Sequence, residues 1–353
     1  PLITDITGIS NKMVRSAPTE EVIIDDFLDF LGDDPLVAHN IHFDERFLSQ
    51  LCERLGREEG NNLKYDTLQL GRSLFFDLPV FNLSALSEYF GLSSDGAHRA
   101  ENDTVNTGKI FINMIEELVS HPLEVISKVI ALIKDSDIPN KQLYLDLGNT
   151  LAKSGDMKKG LIPSKYKHNY QGNTFTWKGP GNINDLKAED VFGKEGLLKS
   201  VHPNFEYRSQ QVNYAEMADS ILNDKIGVGV AEAGTGLGKS LAYLFGAFKK
   251  SIFFEDEGPT VIACNTKHLQ DQLFYKDLPL LAKSINAPIK AVMLKGRNNY
   301  ICKTRFNWLT SDSDTLDPTD IEALIPIIFW LEYTKTGDIS ECSGFFNNRR
   351  TWL

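Results

Sequence analysis

The chain has 353 residues, an apolar fraction of 42% and a net charge of −11. No apolar run approaches the ~20 residues of a membrane span, and four scattered cysteines (Cys52, Cys264, Cys302, Cys342) make no disulfide framework. A reducing, cytoplasmic setting and two or three domains are expected, and the charge is uneven: residues 1–120 hold 9 Lys/Arg against 21 Asp/Glu, whereas the remainder is nearly balanced. The acidic part argues against a broad DNA-binding face there and suits carboxylates gathered around divalent metals.

The first 120 residues read as alternating helices and short strands. A helix is expected over Glu20–Leu31, with apolar Val22, Ile23, Phe27 and Leu31 on one stripe. A short strand follows over Leu36–Ala38, then a helix over Phe43–Leu55 that buries Phe47, Leu48, Leu51 and Leu55. Further helices are expected over Leu83–Phe90, Thr104–Val119 and Leu123–Lys134. Residues 158–184 are rich in Gly, Lys, Asn and Pro and read as an irregular linker or small subdomain. From about residue 195 an α/β pattern begins, with Ile226–Ala231 and Thr260–Ala263 expected as buried strands and Leu241–Phe248 as a buried helix. The expected domains are therefore 1–120, 121–194 and 195–353. Pro1 is not an initiator, and the chain stops after Arg349-Arg-Thr-Trp352 without a boundary signal, so an internal fragment is expected.

The segment Glu232-Ala-Gly-Thr-Gly-Leu-Gly-Lys-Ser240 carries the strongest chemical signal. Between a strand and a helix, Ala233 to Ser240 has the spacing of a phosphate-binding P-loop. Gly234, Gly236 and Gly238 let the backbone around Thr235 curl with its N–H groups inward, and the helix N-terminus adds partial positive charge. Lys239 would reach the β- and γ-phosphates of ATP, and Ser240 would hold Mg²⁺. Upstream, Arg208-Ser-Gln-Gln211 places an amide that could read adenine, or simply starts an amphipathic helix. Downstream, Thr266 could hold a nucleic-acid phosphate or cap a helix. Lys295-Gly-Arg297 with Tyr300 would by itself be a basic turn.

In this order and spacing, residues 195–345 resemble the DinG/XPD-like branch of superfamily 2 DNA helicases. The resemblance implies that Arg208 and Gln211 contact adenine, that Ala233 to Ser240 bind ATP, and that Thr266 and Gln272 touch single-stranded DNA. It places Lys295 and Arg297 at the DNA and Cys302 where a first [4Fe–4S] ligand stands. That cluster wants four thiolates and only Cys342 follows, so no complete site is encoded here. The Asp-Glu-x-His box and the second motor domain are absent from the chain, so inefficient ATP hydrolysis and no unwinding are expected of it.

The acidic part holds a second constellation. Val37-Ala-His-Asn-Ile-His-Phe-Asp-Glu-Arg-Phe-Leu48 puts Asp44 near a helix start, and His98-x-x-x-x-Asp103 leads into the last helix. This set resembles the DnaQ-like, DEDDh-type 3′→5′ exonucleases over residues 1–120. It implies an RNase H-like fold, with Asp44 and Asp103 holding Mg²⁺ or Mn²⁺ and His98 taking a proton from the attacking water. Asp66 is given no chemical role and suits a helix cap; His39 and His42 are read as ordinary polar side chains. The family's Asp-x-Glu is missing, with Thr7 where its Glu would stand, so very weak or no nuclease activity is expected. The whole reads as an incomplete α/β exonuclease domain followed by an incomplete RecA-like P-loop domain. It is expected as a monomer that meets single-stranded DNA and ATP and no membrane. Two rivals stay open: a P-loop that senses ATP without motor action, and a non-catalytic nucleotide- and DNA-binding module.

Overall fold

Two parallel three-residue strands organise the start of the chain. In the computed structural model, which describes residues 4, 8–92, 100–154, 172–181, 185–223, 227–253, 258–311 and 315–346, β1 (Leu36–Ala38) pairs with β2 (Lys64–Asp66), Val37 opposite Tyr65. Helix α1 (Glu20–Leu31) precedes β1, and α2 (Ile41–Leu55) connects the two strands. Helix α1 closes on Gly32 and α2 on Gly56, whose φ of 64° is the left-handed conformation that favours glycine. After β2 come α3 (Thr67–Leu74), α4 (Leu83–Tyr89), α5 (Ala100–Val119), α6 (Leu123–Ile133) and α7 (Lys141–Ser154).

The chain divides into two compact units, Pro1–Tyr170 with Asn298–Leu353, and Gln171–Arg297. In the second unit, β3 (Thr174–Trp177) is followed by α8 (Ala188–Phe192), α9 (Leu197–Val201), α10 (Ser209–Asn223) and α11 (Lys239–Phe253). Then come α12 (Lys267–Gln272), a π-helical turn over Leu273–Asp277, α13 (Leu278–Ile285) and β4 (Ile289–Val292), which pairs antiparallel with β3. Its core joins Val191, Phe192, Ala215, Phe245, Leu281 and Ala282. Helix α11 buries Ala242, Leu244, Phe245 and Phe248, as the sequence pattern requires.

The first unit regains the chain at α14 (Lys303–Ser311) and α15 (Pro318–Trp330). Helix α15 is buried along nearly its whole length, as an all-round apolar helix must be. Its Leu324, Ile325, Phe329 and Trp330 share one core with Leu70, Leu74, Phe75, Ile110, Met114 and Val129.

Several expected features differ. Helix α1 forms over the expected span, but Val22 (67% exposed), Ile23 and Phe27 lie at the surface and only Ile24 is buried. In α2, Phe47 is 65% exposed, and Leu48, Leu51 and Leu55 are half-buried. Neither 227–231 nor 260–263 forms a strand, and Val228, Val230 and Val261 are more than 80% exposed. An apolar run becomes a buried strand only beside a partner ladder, and the described residues offer none there. The stretch expected to be irregular contains β3, held by its register with β4.

Candidate functional site

The junction of β1 and β2 is built around one buried carboxylate. Asp66, only 2% exposed, ends β2. Its Oδ1 accepts the N–H of Leu68 at 2.7 Å, of Gln69 at 3.4 Å and of Asn40 at 3.0 Å. One oxygen thus caps α3, as the sequence suggests, and also fixes the residue before α2. Asn40 takes a left-handed φ of 71°, which turns the chain from β1 into α2 and sets Asp44 in the first helical turn. Partial desolvation and the nearby charge of Asp66 push the Asp44 pKa above its ordinary value.

Asp66 is itself positioned by a residue far along the chain. Asn140, fully buried with φ 65°, accepts the Asp66 N–H at 2.9 Å. Its Nδ2 donates to the Asp66 carbonyl at 3.1 Å and to Gln69 Oε1 at 2.7 Å, and its own N–H donates to the Lys64 carbonyl. Asn140 therefore treats the edge of β2 as a neighbouring strand would. Nothing in the local sequence signals this, because Asn140 and Asp66 are 74 residues apart.

Around this junction lies a cavity of about 40 Å³ lined by Asn40, His42, Asp66, Gln69, Arg72 and Glu322. His42 Nε2 and Glu322 Oε1 are 3.0 Å apart. Desolvation opposes protonation of His42, but the hydrogen bond and charge of Glu322 outweigh it, so its pKa stands above the ordinary 6.5. His39 is different: burial lowers its pKa, and its Nδ1 meets Thr67 Oγ1 at 3.0 Å. Glu322 and Arg72 carried no signal in the sequence. Of the expected site residues, Asp44 falls within electrostatic reach of Asp66, Asp103 stands half-buried in the first turn of α5, and His98 lies outside the described residues.

In the second unit, residues 231–238 run as an open loop into the N-terminus of α11. Gly236 and Gly238 have φ of 80° and 81°, so a side chain at either would be strained. A Cβ on Gly238 would also fall 2.2 Å from Gln211 Nε2, whereas Gly234 faces open space. Lys239 Nζ donates to the Ala233 and Gly234 carbonyls at 2.7 and 3.0 Å, so its ammonium lies across the loop. Ser240 follows it on α11, beside Tyr243. Arg208 donates to the Gly236 carbonyl, and Gln211 Nε2 to the Gly238 carbonyl at 3.1 Å. Thr266 Oγ1 caps α12 by accepting the Leu269 N–H. Gln272 donates to Asp277 at 3.1 Å, Lys295 pairs with Asp271 at 3.5 Å, and Arg297 is exposed.

Residues 1–111 match the exonuclease family of the RNase T type. Three curated relatives, each called 3′-5′ exonuclease DinG, match almost the whole chain. The protein of Bacillus subtilis (strain 168) is 29% identical over 99% of this chain. That of Staphylococcus epidermidis (strain RP62A) is 30% identical over 97%, and that of Staphylococcus aureus (strain MRSA252) 27% identical over 97%. The chain is similar to these DinG proteins along nearly its whole length. It spans 37% of the length of each of these relatives, and no solved structure matches it.

The DinG relationship gives the acidic first part an exonuclease domain and with it an expectation of divalent cations. Asp44 fits such an ion: a carboxylate at a helix start, raised in pKa beside a second carboxylate, gains from a nearby cation. Asp103 is a further carboxylate, in the first turn of α5, and among the described residues no group of three His, Cys, Asp or Glu side chains converges. The thiols do not fit an iron–sulfur cluster. Cys302 is exposed, whereas Cys342 is buried in the core and burial pushes its thiol up to about 12.

Proposed function

We propose that the chain belongs to a DNA-processing hydrolase in which a 3′→5′ exonuclease domain precedes a helicase-type ATPase domain, with bounds 1–120, 121–194 and 195–353. The observation that carries this reading is DinG homology over nearly the whole chain, with Asp44 at the start of α2 beside the Asp66 anchor. Asp44 and Asp103 would hold Mg²⁺ or Mn²⁺, which supply an activated water and charge neutralisation at the phosphodiester. His98 takes the proton of that water. In the second domain, the Ala233–Ser240 backbone and Lys239 hold the phosphates of ATP, with Ser240 toward Mg²⁺, while Arg208 and Gln211 brace the loop. Thr266, Gln272, Lys295 and Arg297 face single-stranded DNA. A longer protein of this kind would act as a cytoplasmic monomer and couple ATP to movement along the strand.

The chain supplies Asp44 and Asp103, but its first 120 residues hold no Asp-x-Glu and the chain holds no Asp-Glu-x-His. That observation favours a second reading for these 353 residues taken alone, a nucleotide- and DNA-binding module with residual catalysis at most. The test is degradation of a 5′-labelled single strand in Mn²⁺. Trace shortening from the 3′ end, abolished by Asp44→Ala and by Asp103→Ala, is the expected result. Equal trace cleavage in all three proteins would refute the assigned carboxylates, and robust cleavage would refute the need for the missing ones.

A further inference from the structure

Only His39 and Asn40 separate the end of β1 from the start of α2. Asn40 makes the turn with φ 71° and ψ 57°, a conformation that a residue with a side chain keeps only where its surroundings fix it. Asp44 follows in the first turn of α2, so the direction of this turn sets where its carboxylate stands. The end of β1 has a tie of its own: Thr67 Oγ1 donates to the Ala38 carbonyl at 3.3 Å and meets His39 Nδ1 at 3.0 Å. The turn itself is held through the Asn40 N–H, which donates to Asp66 Oδ1 at 3.0 Å. Its direction therefore depends on where Asp66 stands.

Asn140 decides that position. It immediately precedes α7, whose Tyr144 N–H donates to the Asn140 carbonyl at 3.1 Å. Its carboxamide takes both main-chain groups of Asp66 and reaches Gln69 of α3, and its N–H donates to the Lys64 carbonyl at 2.9 Å. One side chain thus fixes the last residue of β2 against the first turn of α3. It is 0% exposed, so it can touch neither a metal ion nor a nucleic-acid strand. It also lies beyond residues 1–111, which match the exonuclease family.

We propose that Asn140 is a positioning residue of the exonuclease site, which through Asp66 and the Asn40 N–H holds the turn that carries Asp44. The inference rests on the reading of Asp44 as a metal-binding carboxylate and extends that site to a residue outside the exonuclease match. Without Asn140, the Asp66 main chain loses both partners, the Asn40 N–H loses a fixed acceptor, and Asp44 ranges over more positions. A residue that orients a metal's ligand without touching the metal changes affinity about tenfold or more when removed.

Mn²⁺ titration of the 353-residue chain, read by electron paramagnetic resonance, tests this without catalysis. Asn140→Gly removes the carboxamide and keeps the left-handed φ without strain. It should weaken Mn²⁺ binding about tenfold with the circular dichroism spectrum unchanged. Ile126→Ala truncates the core of the same unit beside Gly148, away from the Asn140–Asp66 contact. It should lower the urea midpoint and bind Mn²⁺ as the wild type does. In an Asp44→Ala background, Asn140→Gly should change nothing further. Gln69→Leu removes one partner of Asn140 and should weaken Mn²⁺ about threefold, a readout that stands even if Asn140→Gly does not fold. The positioning role alone is overturned if Asp44→Ala loses Mn²⁺ while Asn140→Gly, or Gln69→Leu in its place, binds like the wild type. It is also overturned if Ile126→Ala weakens binding equally. No Mn²⁺ binding by the wild type, or wild-type affinity in Asp44→Ala, overturns the Asp44 reading and the positioning role together.

Discussion

Replacing Asn140 by alanine removes the group that ties the edge of β2 to α3. The side chain is fully buried and makes three hydrogen bonds, to the Asp66 N–H, the Asp66 carbonyl and Gln69 Oε1. Leaving a buried polar group without a partner costs about 1–3 kcal/mol, and three such groups at the low end amount to about 3 kcal/mol. The residue also holds φ 65°, where alanine adds about 1 kcal/mol of strain that asparagine tolerates. Asn140→Ala should therefore destabilise the first unit by about 4 kcal/mol. Asn140→Gly, which has no strain at that φ, should cost about 1 kcal/mol less. Urea unfolding measures the loss, and amide exchange locates it, because Asn40 and Leu68 donate to the Asp66 carboxylate and should lose protection first. A loss under about 1 kcal/mol, or unchanged protection at Asn40, would refute the reasoning.

The His42–Glu322 pair should make stability depend on pH. With the folded pKa of His42 above 6.5, its contribution is complete below that value and fades as pH rises through the folded pKa; the raised pKa of Glu322 adds a cost in the same direction from 4.5 upward. Melting curves of wild type and His42→Ala should converge with rising pH, and parallel curves would contradict the pair. Thiol titration should label exposed Cys302 at once and buried Cys342 only on unfolding; rapid reaction of both in the folded protein would show that the core around α15 is open. Gly238→Ala forces φ 81° on a side chain and drives Cβ onto Gln211, so the second unit should lose about 2 kcal/mol and bind ATP more weakly. Unchanged melting of that variant would mean that the loop adopts another conformation.

Much of the local structure was legible in the sequence. The span Glu20–Leu31 forms a helix over those residues, and Thr266 and Asp66 act as caps because short polar side chains satisfy the first free N–H groups of a helix. Burial was less legible. The stripe of Val22, Ile23 and Phe27, the Phe47 face of α2, and the apolar runs around Val230 and Val261 all lie exposed. Periodicity says which face favours a partner and is silent on whether the described residues provide one. The candidate sites divide along the same line. The P-loop is a contiguous motif in the sequence, yet the strand expected before it does not form over residues 227–231 and Gln211 donates to the Gly238 carbonyl. The Asn140–Asp66–Asn40 chain and the His42–Glu322 pair join residues 74 and 280 positions apart, and only the folded chain brings them together. Gln211 and Gln210 are neighbours in sequence, yet the helix buries one and leaves the other exposed.

The central claim is that the first unit carries an exonuclease metal site centred on Asp44. Binding of Mn²⁺, followed by electron paramagnetic resonance on the 353-residue chain, tests it without relying on catalysis. A weak site that is lost in Asp44→Ala and in Asp103→Ala, with both variants folded by circular dichroism, is the predicted result. Identical Mn²⁺ binding in all three proteins would contradict the account.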